Sequence, residues 1–588
     1  MDHLEMSNEE NYAFDVSGYL VLKGVLKPEE IERMNSAIDD QGEYTDVLTW
    51  AGGRREPFRD LLVHPVLVQY LNQICGTGFR LDSLPRIFSD DPTSNTPFSD
   101  RFLPKGDEPR NQGATYFQQN DRRQCQMVRV LWALSDIPDR SGGPTVVPCT
   151  HKSNVATPDD LLDGTDDMGL AKQLVLEEGD IVIIADAVVR GLRPWRGDAR
   201  LRLLEYTFTA RGVIAKAGTG PETEKDPYPD WMEELDDASK AVLHLPGYQS
   251  STPPQALIPN GQKTDVAEHR DLIHPSILKR DHDADIDYKE FYYWDLCGHL
   301  VIRNIMSEED LALANEAVDK FGDQIVRGEE LSRGSKSLAG AGRPILPRLL
   351  ELPKPYCEPF RRMVAHPEIV KRLTWMGGSG FRCGQPQGFV SDKGSTGHSL
   401  HDANEPLLPS RSYVYKNGRS HCEAVTVTWQ LRDVSEDEGG FACVPGSHKA
   451  RYRLPRGVSS CDDHMDLVAH PTFKAGDVVF FMDGAQTHGA LAWHSELARR
   501  GILIKYSSRS FNRSGGEMCH PENRWGDVVD GMTDAQLAVM RGPDRDNHNG
   551  NVPRLDITDG EVAVDYERSG GLYSGATPDK PLAAGNSS

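Results

Sequence analysis

The sequence predicts a mainly β protein with flanking helices, built as two tandem jelly-roll domains. Two observations carry that expectation: the chain repeats itself once at long period, and each repeat reads as an amphipathic helix followed by short β-runs. FDVSGYLVLKGVLKPEEIERMNSAID, from Phe14, matches WDLCGHLVIRNIMSEEDLALANEAVD, from Trp294, at an offset of 280. HPVLVQYLNQICGTGFR, from His64, matches HPEIVKRLTWMGGSGFR, from His366, at 302. CQMVRVLWALSDI, from Cys125, matches CEAVTVTWQLRDV, from Cys422, at 297; VVPCTHK with CVPGSHK and EEGDIVII with KAGDVVFF keep that register. Blocks of this length in the same order mark a duplicated domain rather than a short-period solenoid.

Within each copy a strand-like GYLVLKGV or GHLVIRNI leads into a segment with apolar residues at helical spacing. Short runs follow: VRVLWALSD, GGPTVVP, GDIVIIAD and RLLEYTFT first, then VTVTWQLRD, GGFACVP, GDVVFFMD and GILIKYSS. Gly, Asp and Pro turns between such runs imply a closed or sandwiched antiparallel structure, buttressed by the N-terminal helices. Each barrel is followed by a helical tail, WMEELDDASKAVLHLPGY or WGDVVDGMTDAQLAVMRGP. The expected organisation is a first domain over 1–262, a linker over 263–284, a second domain over 285–543 and a polar, poorly ordered tail over 544–588.

Composition narrows the function classes. A formal net charge of −24 argues against a nucleic-acid partner, because phosphate binding needs clustered Lys and Arg. Ten cysteines without CxxC spacing fit free thiols in a reducing compartment, not a disulfide framework or a zinc ribbon. The opening residues are acidic and polar, and no apolar run is long enough for a membrane span, so a cytoplasmic location is expected. No GxxxxGK[ST] loop or GxSxG elbow is present, which removes the P-loop and serine-hydrolase readings. A small-molecule substrate remains; the oligomeric state is not legible.

Histidines separate the copies. GHSLHDANEP supplies His398 and His401, GRSHCEAV supplies His421 and Glu423, and QTHGALAW supplies His488. At offset 297, His401 meets Pro104, His421 meets Gln124 and Glu423 meets Gln126; with a one-residue gap, His488 meets Arg190. Two histidines and a carboxylate on strands of a small barrel suit a mononuclear Fe(II) site with open positions for a co-substrate and O2.

The strand ending W-x-L-x-D, the GGF-x-x-VPGSHK and AGDVVFF blocks and the late THG resemble phytanoyl-CoA dioxygenase-type proteins, and the resemblance spans both copies. It implies a double-stranded β-helix (cupin-like) core and an oxygenase using Fe(II), 2-oxoglutarate and O2. It also implies His488 as distal metal ligand, His401 as proximal ligand, and Arg499 or Arg500 as the grip on the co-substrate carboxylate. Arg500 aligns with Arg200 and Arg499 with Ala199, and Trp429 resembles a barrel-lining tryptophan beside the co-substrate.

The carboxylate stays open, because His401-Asp402-Ala403 departs from the family's HxD. Glu423, at even spacing from Trp429, completes the favoured set of His401, His488 and Glu423. Otherwise His421-Cys422-Glu423 is itself an HxE pair, or the site has two histidines and no acid, as in halogenases of the superfamily. Asp402 and Glu405 read as a solvated acidic loop and His398 as a loop residue. His448, with its twin His151, belongs to a turn, and His366, with its twin His64, to a helix start. The expected function is hydroxylation of a small molecule by the C-terminal copy alone. Halogenation, and a non-catalytic regulatory pseudoenzyme, are the alternatives.

Overall fold

The computed structural model describes residues 6–41, 46–76, 79–90, 116–119, 122–210, isolated positions between 231 and 243, 286–378, 380–403, 412–416, 419–508, 521, 525–541 and 554–565. Contacts divide the chain into two units, Met1–Leu272 and Ile273–Ser588. The expected linker, Pro104, Glu405 and most of the first helical tail lie outside the described residues.

Each unit opens with a capped helix. In the first, Ser7 and Glu10 form a capping box on Asn8–Ser17; in the second, Asp287 caps Tyr288–Cys297. Both helices stop at a left-handed glycine, Gly18 or Gly298, and the chain turns directly into a strand. A Cβ on Gly298 would fall 2.8 Å from the His448 ring, so this turn requires glycine for space as well as for φ. That ring in turn donates from Nε2 to the Asp295 carbonyl, as His151 does to the Asp15 carbonyl, which ties the turn after the GG strand to the first helix in both units.

The strands of the first unit form a five-stranded antiparallel sheet in the order Tyr19–Leu22, Ile181–Ala185, Met127–Ala133, Leu201–Thr209, Arg80–Asp90. A smaller sheet joins Lys172–Gln173, Gly143–Val147 and Val189–Arg193. The second unit repeats this plan. Its large sheet runs His299–Ile302, Val478–Met482, Ala424–Gln430, Arg499–Ser507, Gln387–Ser391, Pro344–Leu346, Val326–Arg327, and its small sheet joins His398–His401, His488–Leu491 and Gly440–Cys443. Two facing antiparallel sheets of this connectivity are a jelly roll, as the periodicity predicts.

Alternation along the large sheet sorts its side chains. Val425, Val427, Trp429, Val478, Phe480, Ile502, Ile504 and Tyr506 pack with the helices in one core. The opposite face carries Val479 and Phe481, which pack with Phe441 and Cys443 of the small sheet and so define the barrel interior. Fully burying each large apolar side chain contributes about 1.5–3 kcal/mol, so the helical layer fixes the sheet that carries the inner face.

Strand register corrects one alignment. Thr209 pairs with Met127 and Ser507 with Ala424, so the final barrel strands correspond residue for residue, with Leu201 matching Arg499 and Arg202 matching Arg500. Helix contacts agree: Arg202 bonds Asn35 and Asp39, and Arg500 bonds Asn315 and Asp319. The pairing of Arg500 with Arg200 was two residues out, because LRLLEYTFT and RRGILIKYS share too few identities to place the gap.

The C-terminal tail also departs from expectation. Residues Arg554–Thr558 and Glu561–Asp565 form a hairpin whose Leu555 is 1% exposed in the helical core. Asp559 and Gly560 both have positive φ, the turn that an Asp-Gly pair between alternating strands favours. Polar composition concealed that local signal. Leu555→Ala is expected to destabilise the second unit by about 2–4 kcal/mol in denaturant titration; an unchanged midpoint would mean the hairpin is not part of this core.

Candidate metal centre

The small sheet brings the two candidate histidines together. His401 ends its strand directly opposite His488, with ring centroids 4.6 Å apart. Their Nδ1 atoms lie 2.9 Å from the Ser399 carbonyl and 2.8 Å from the Gln486 carbonyl. Each carbonyl holds a proton on Nδ1 and leaves the Nε2 lone pair free, the tautomer a metal ligand needs.

Asp402 completes the group. The chain leaves the strand with φ of 69° at Asp402 and 51° at Ala403, and this left-handed step turns the carboxylate back beside the histidine. Aspartate tolerates that conformation better than most residues, and such strain concentrates at functional sites. Asp402 Oδ2 lies 3.6 Å from His401 Nε2, and the ligand atoms of His401, Asp402 and His488 all lie within 4.8 Å of one another. Metal bonds of about 2.0–2.2 Å would close that span with small side-chain rotations. The donor set of two imidazoles and one carboxylate fits Fe(II) with open positions.

Three sequence candidates lie elsewhere. Glu423 is engaged elsewhere: it takes a hydrogen bond from Ser508 and sits 3.2 Å from His421 Nε2. Among the described residues the cluster of possible ligand atoms takes in Asp402, and neither Glu423 nor His421 belongs to it. Trp429 points to the helical layer, where it packs edge-on against His366 at 5.4 Å; Trp132 does the same against His64 at 5.5 Å. It lies one residue out of phase with the inner face. Arg500 shares the helical face with Ile502 and is engaged by Asn315 and Asp319.

Arg499, one residue earlier, faces inward. Gln430 stands opposite Gly501, and Arg499, two residues before Gly501, lies on the same face. The Arg499 side chain is buried, its Nε has no partner, and among the described residues no carboxylate pairs with it. Burial, aided by the charge of Arg343, lowers its pKa to about 10. A Cβ on Gly440 would come within 3.2 Å of Arg499 Nε, so the second glycine of the GGF block leaves room for the guanidinium. The amide of Gln430 and the hydroxyl of Thr426 on the same inner face are likewise buried without partners. Unpaired buried polar groups cost free energy, and several around one space indicate a polar occupant.

His398 is not a loop residue. It lies on the strand, 4.2 Å from the His401 ring, and burial followed by the charges of His401 and Arg343 lowers its pKa to about 3.

The first unit differs at each matching position. Leu201 stands for Arg499 and Ala133 for Gln430. Arg190 takes the strand position of His488, where its guanidinium bonds Asp186 at 2.5 Å and the Asp186 and Val188 carbonyls at 2.8 and 3.0 Å. Arg129 bridges the same Asp186 and Glu205 at 2.8 and 2.7 Å. Although burial opposes it, Arg190 and Arg129 hold Asp186 ionised. Here the inner charges pair with one another. In the second unit Asp483 pairs with Lys505, but Arg499 has no partner among the described residues.

A jelly roll with two tethered imidazoles, a carboxylate and an unpaired inward arginine defines the mononuclear iron oxygenase class. The phytanoyl-CoA dioxygenase (PhyH) family model matches residues 14–200 and 294–501, and the chain belongs to that family. It is an Fe(II)- and 2-oxoglutarate-dependent oxygenase. No curated protein matches the sequence significantly. Among solved structures it is similar to HygX from Streptomyces hygroscopicus with nickel and 2-oxoglutarate bound (20% identity, TM-score 0.32, 38% of this chain and 87% of that one). It is also similar to EctD from S. alaskensis with 2-oxoglutarate and 5-hydroxyectoine (17% identity, TM-score 0.30, 40% and 82%).

Asp402 and Gln430 were the residues that sequence reasoning passed over. The carboxylate adjacent to His401 was visible, but the left-handed turn that aims it was not. Among the described residues no helix is long and apolar enough to cross a membrane.

Burial also makes the metal-free second unit acid-sensitive. His299 and His488 are lowered to about 4 and His398 to about 3, each first by burial. Between pH 6.5 and 4 the unfolded chain therefore binds more protons than the folded one, so stability is full above pH 6.5 and falls as pH drops. Urea midpoints of the apoprotein should decline steadily across that window; a flat profile would show that these rings are not held neutral.

Proposed function

We propose that the second unit alone carries the activity and hydroxylates a small molecule. His401, His488 and Asp402 would hold Fe(II), and Arg499 would grip the distal carboxylate of 2-oxoglutarate. The observation that carries this reading is the buried Arg499 guanidinium, unpaired among the described residues and turned to the inner face that His488 also borders. A planar guanidinium matches a carboxylate in bidentate fashion, and burial strengthens that pairing.

When bound, iron and 2-oxoglutarate supply the oxygen activation. The chain supplies position and dryness. The Ser399 and Gln486 carbonyls fix both imidazoles. Phe481, 4.7 Å from the His488 ring, and Phe441 keep that side of the site apolar. Gln430 and Thr426 offer hydrogen bonds to whatever lies against the inner face. Asp402 beside the histidines supports hydroxylation over halogenation, because an acid stands where a halide would bind. In the first unit, the pairing of Arg190 with Asp186 puts a cation where the second has a ligand, so no metal is assigned there.

Anaerobic Fe(II) with 2-oxoglutarate should give a visible charge-transfer band with the wild-type protein. His488→Ala should lose it, and Arg499→Leu should weaken 2-oxoglutarate binding about 30-fold or more, as expected for losing hydrogen bonds to a charged group. Arg190→Ala should leave the band intact. Absence of the band in wild type, or its persistence in His488→Ala, would refute the assignment.

A further inference from the structure

Arg499 is not the only inward cation without a partner. Arg343 precedes the strand Pro344–Leu346, whose Ile345 pairs with Phe389; Phe389 in turn stands opposite Gly501. Residues directly opposite on paired strands share a face, and alternation extends it to Arg343 and Arg499. The two arginines thus belong to one inner surface of the large sheet, separated by Phe389 and Gly501. Arg343 lies over the Phe389 ring, with Cζ 5.0 Å from its centroid, which holds the half-buried side chain in place. Its Nε is buried without a hydrogen-bond partner, and among the described residues it forms no ion pair. Its charge acts on both Arg499 and His398, so it lies near each of them.

A bidentate carboxylate matches one guanidinium fork, so the second cation calls for a second anionic group. 2-Oxoglutarate has one distal carboxylate for Arg499, while its keto-acid end is the part that would join the iron. Arg343 would then stay desolvated and unpaired, at a cost that a second anion would offset.

We propose that Arg343, seated on Phe389, binds an anionic group of the primary substrate, so that the substrate is a small acid: a carboxylate or a phosphate monoester. This rests on the reading of the second unit as the working oxygenase. Arg343 is a specificity residue here. It orients the substrate and takes no part in oxygen activation. The Phe389 ring beneath it favours a flat or apolar segment next to the acid.

The test uses the full chain and three matched probes: benzoate, phenyl phosphate and the neutral benzamide. Calorimetry on metal-free Arg499→Leu protein isolates Arg343 from the co-substrate arginine. At least one anion should bind five-fold or more tighter than benzamide, and which one does so separates carboxylate from phosphate recognition. Adding Arg343→Leu should abolish the preference, and Arg343→Lys should retain part of it, which controls for misfolding. Equal binding of the three probes, no binding, or a preference that survives Arg343→Leu overturns the proposal. In a separate arm, Arg343→Leu alone should leave the Fe(II)/2-oxoglutarate band and its 2-oxoglutarate dependence within two-fold of wild type. Loss of the band as in Arg499→Leu would place Arg343 in the co-substrate site instead, and would also overturn it. If wild type gives no band but the anion preference persists and depends on Arg343, the oxygenase assignment fails while the anion site stands.

Discussion

The antiparallel pairing of His398–His401 with His488–Leu491 sets His401 opposite His488, and the rest of the site is arranged around that contact. The pairing depends on close approach at Gly489, where a Cβ would lie 2.4 Å from the His398 carbonyl and 2.9 Å from Leu400 Cδ2. The HG dipeptide therefore joins a ligand to the glycine that lets its strand dock. Carbonyl tethers then select the free nitrogen on each ring, and the left-handed step at Asp402 adds the acid. None of this needs a long-range rearrangement to form; it follows from register and one turn.

Charge balance distinguishes the two copies more sharply than their folds do. Both keep an aspartate just after a strand of the large sheet, Asp186 after Ile181–Ala185 and Asp483 after Val478–Met482. In the first unit it is satisfied by Arg129 and Arg190, and Glu205 completes the network. In the second it takes Lys505 at 3.1 Å and lies 3.9 Å from His488 Nε2. Breaking a buried ion pair by removing one partner is strongly destabilising, so the members of the first unit's network hold one another in place. The second unit instead leaves Arg499, Arg343, Gln430 and Thr426 without partners among the described residues, and that unmet polarity is what a ligand would satisfy.

Much of this was legible in the sequence. The duplication and the jelly roll followed from matching blocks, and the replaced histidines singled out His401 and His488, which the small sheet sets opposite each other. What failed depended on single-residue phase. Trp429 was placed on the wrong face and Arg499 could not be told from Arg500 because one position along a strand reverses the side chain, and the alignment gap near Arg200 hid the match of Arg499 with Leu201. Glu423 was preferred to Asp402 because even spacing from Trp429 was read as pointing inward, when Trp429 itself points to the helices. The hairpin at 554–565 was missed because composition outweighed a two-residue turn signal.

The central claim is one metal per chain, held by the second copy. Cobalt(II) titration of the full-length apoprotein, followed by its visible d–d absorption, tests it directly. The account predicts saturation at one equivalent in wild type and in Arg190→Ala, with the site lost in a His401→Ala/His488→Ala double variant. Two equivalents, or one that survives the double variant, would contradict it.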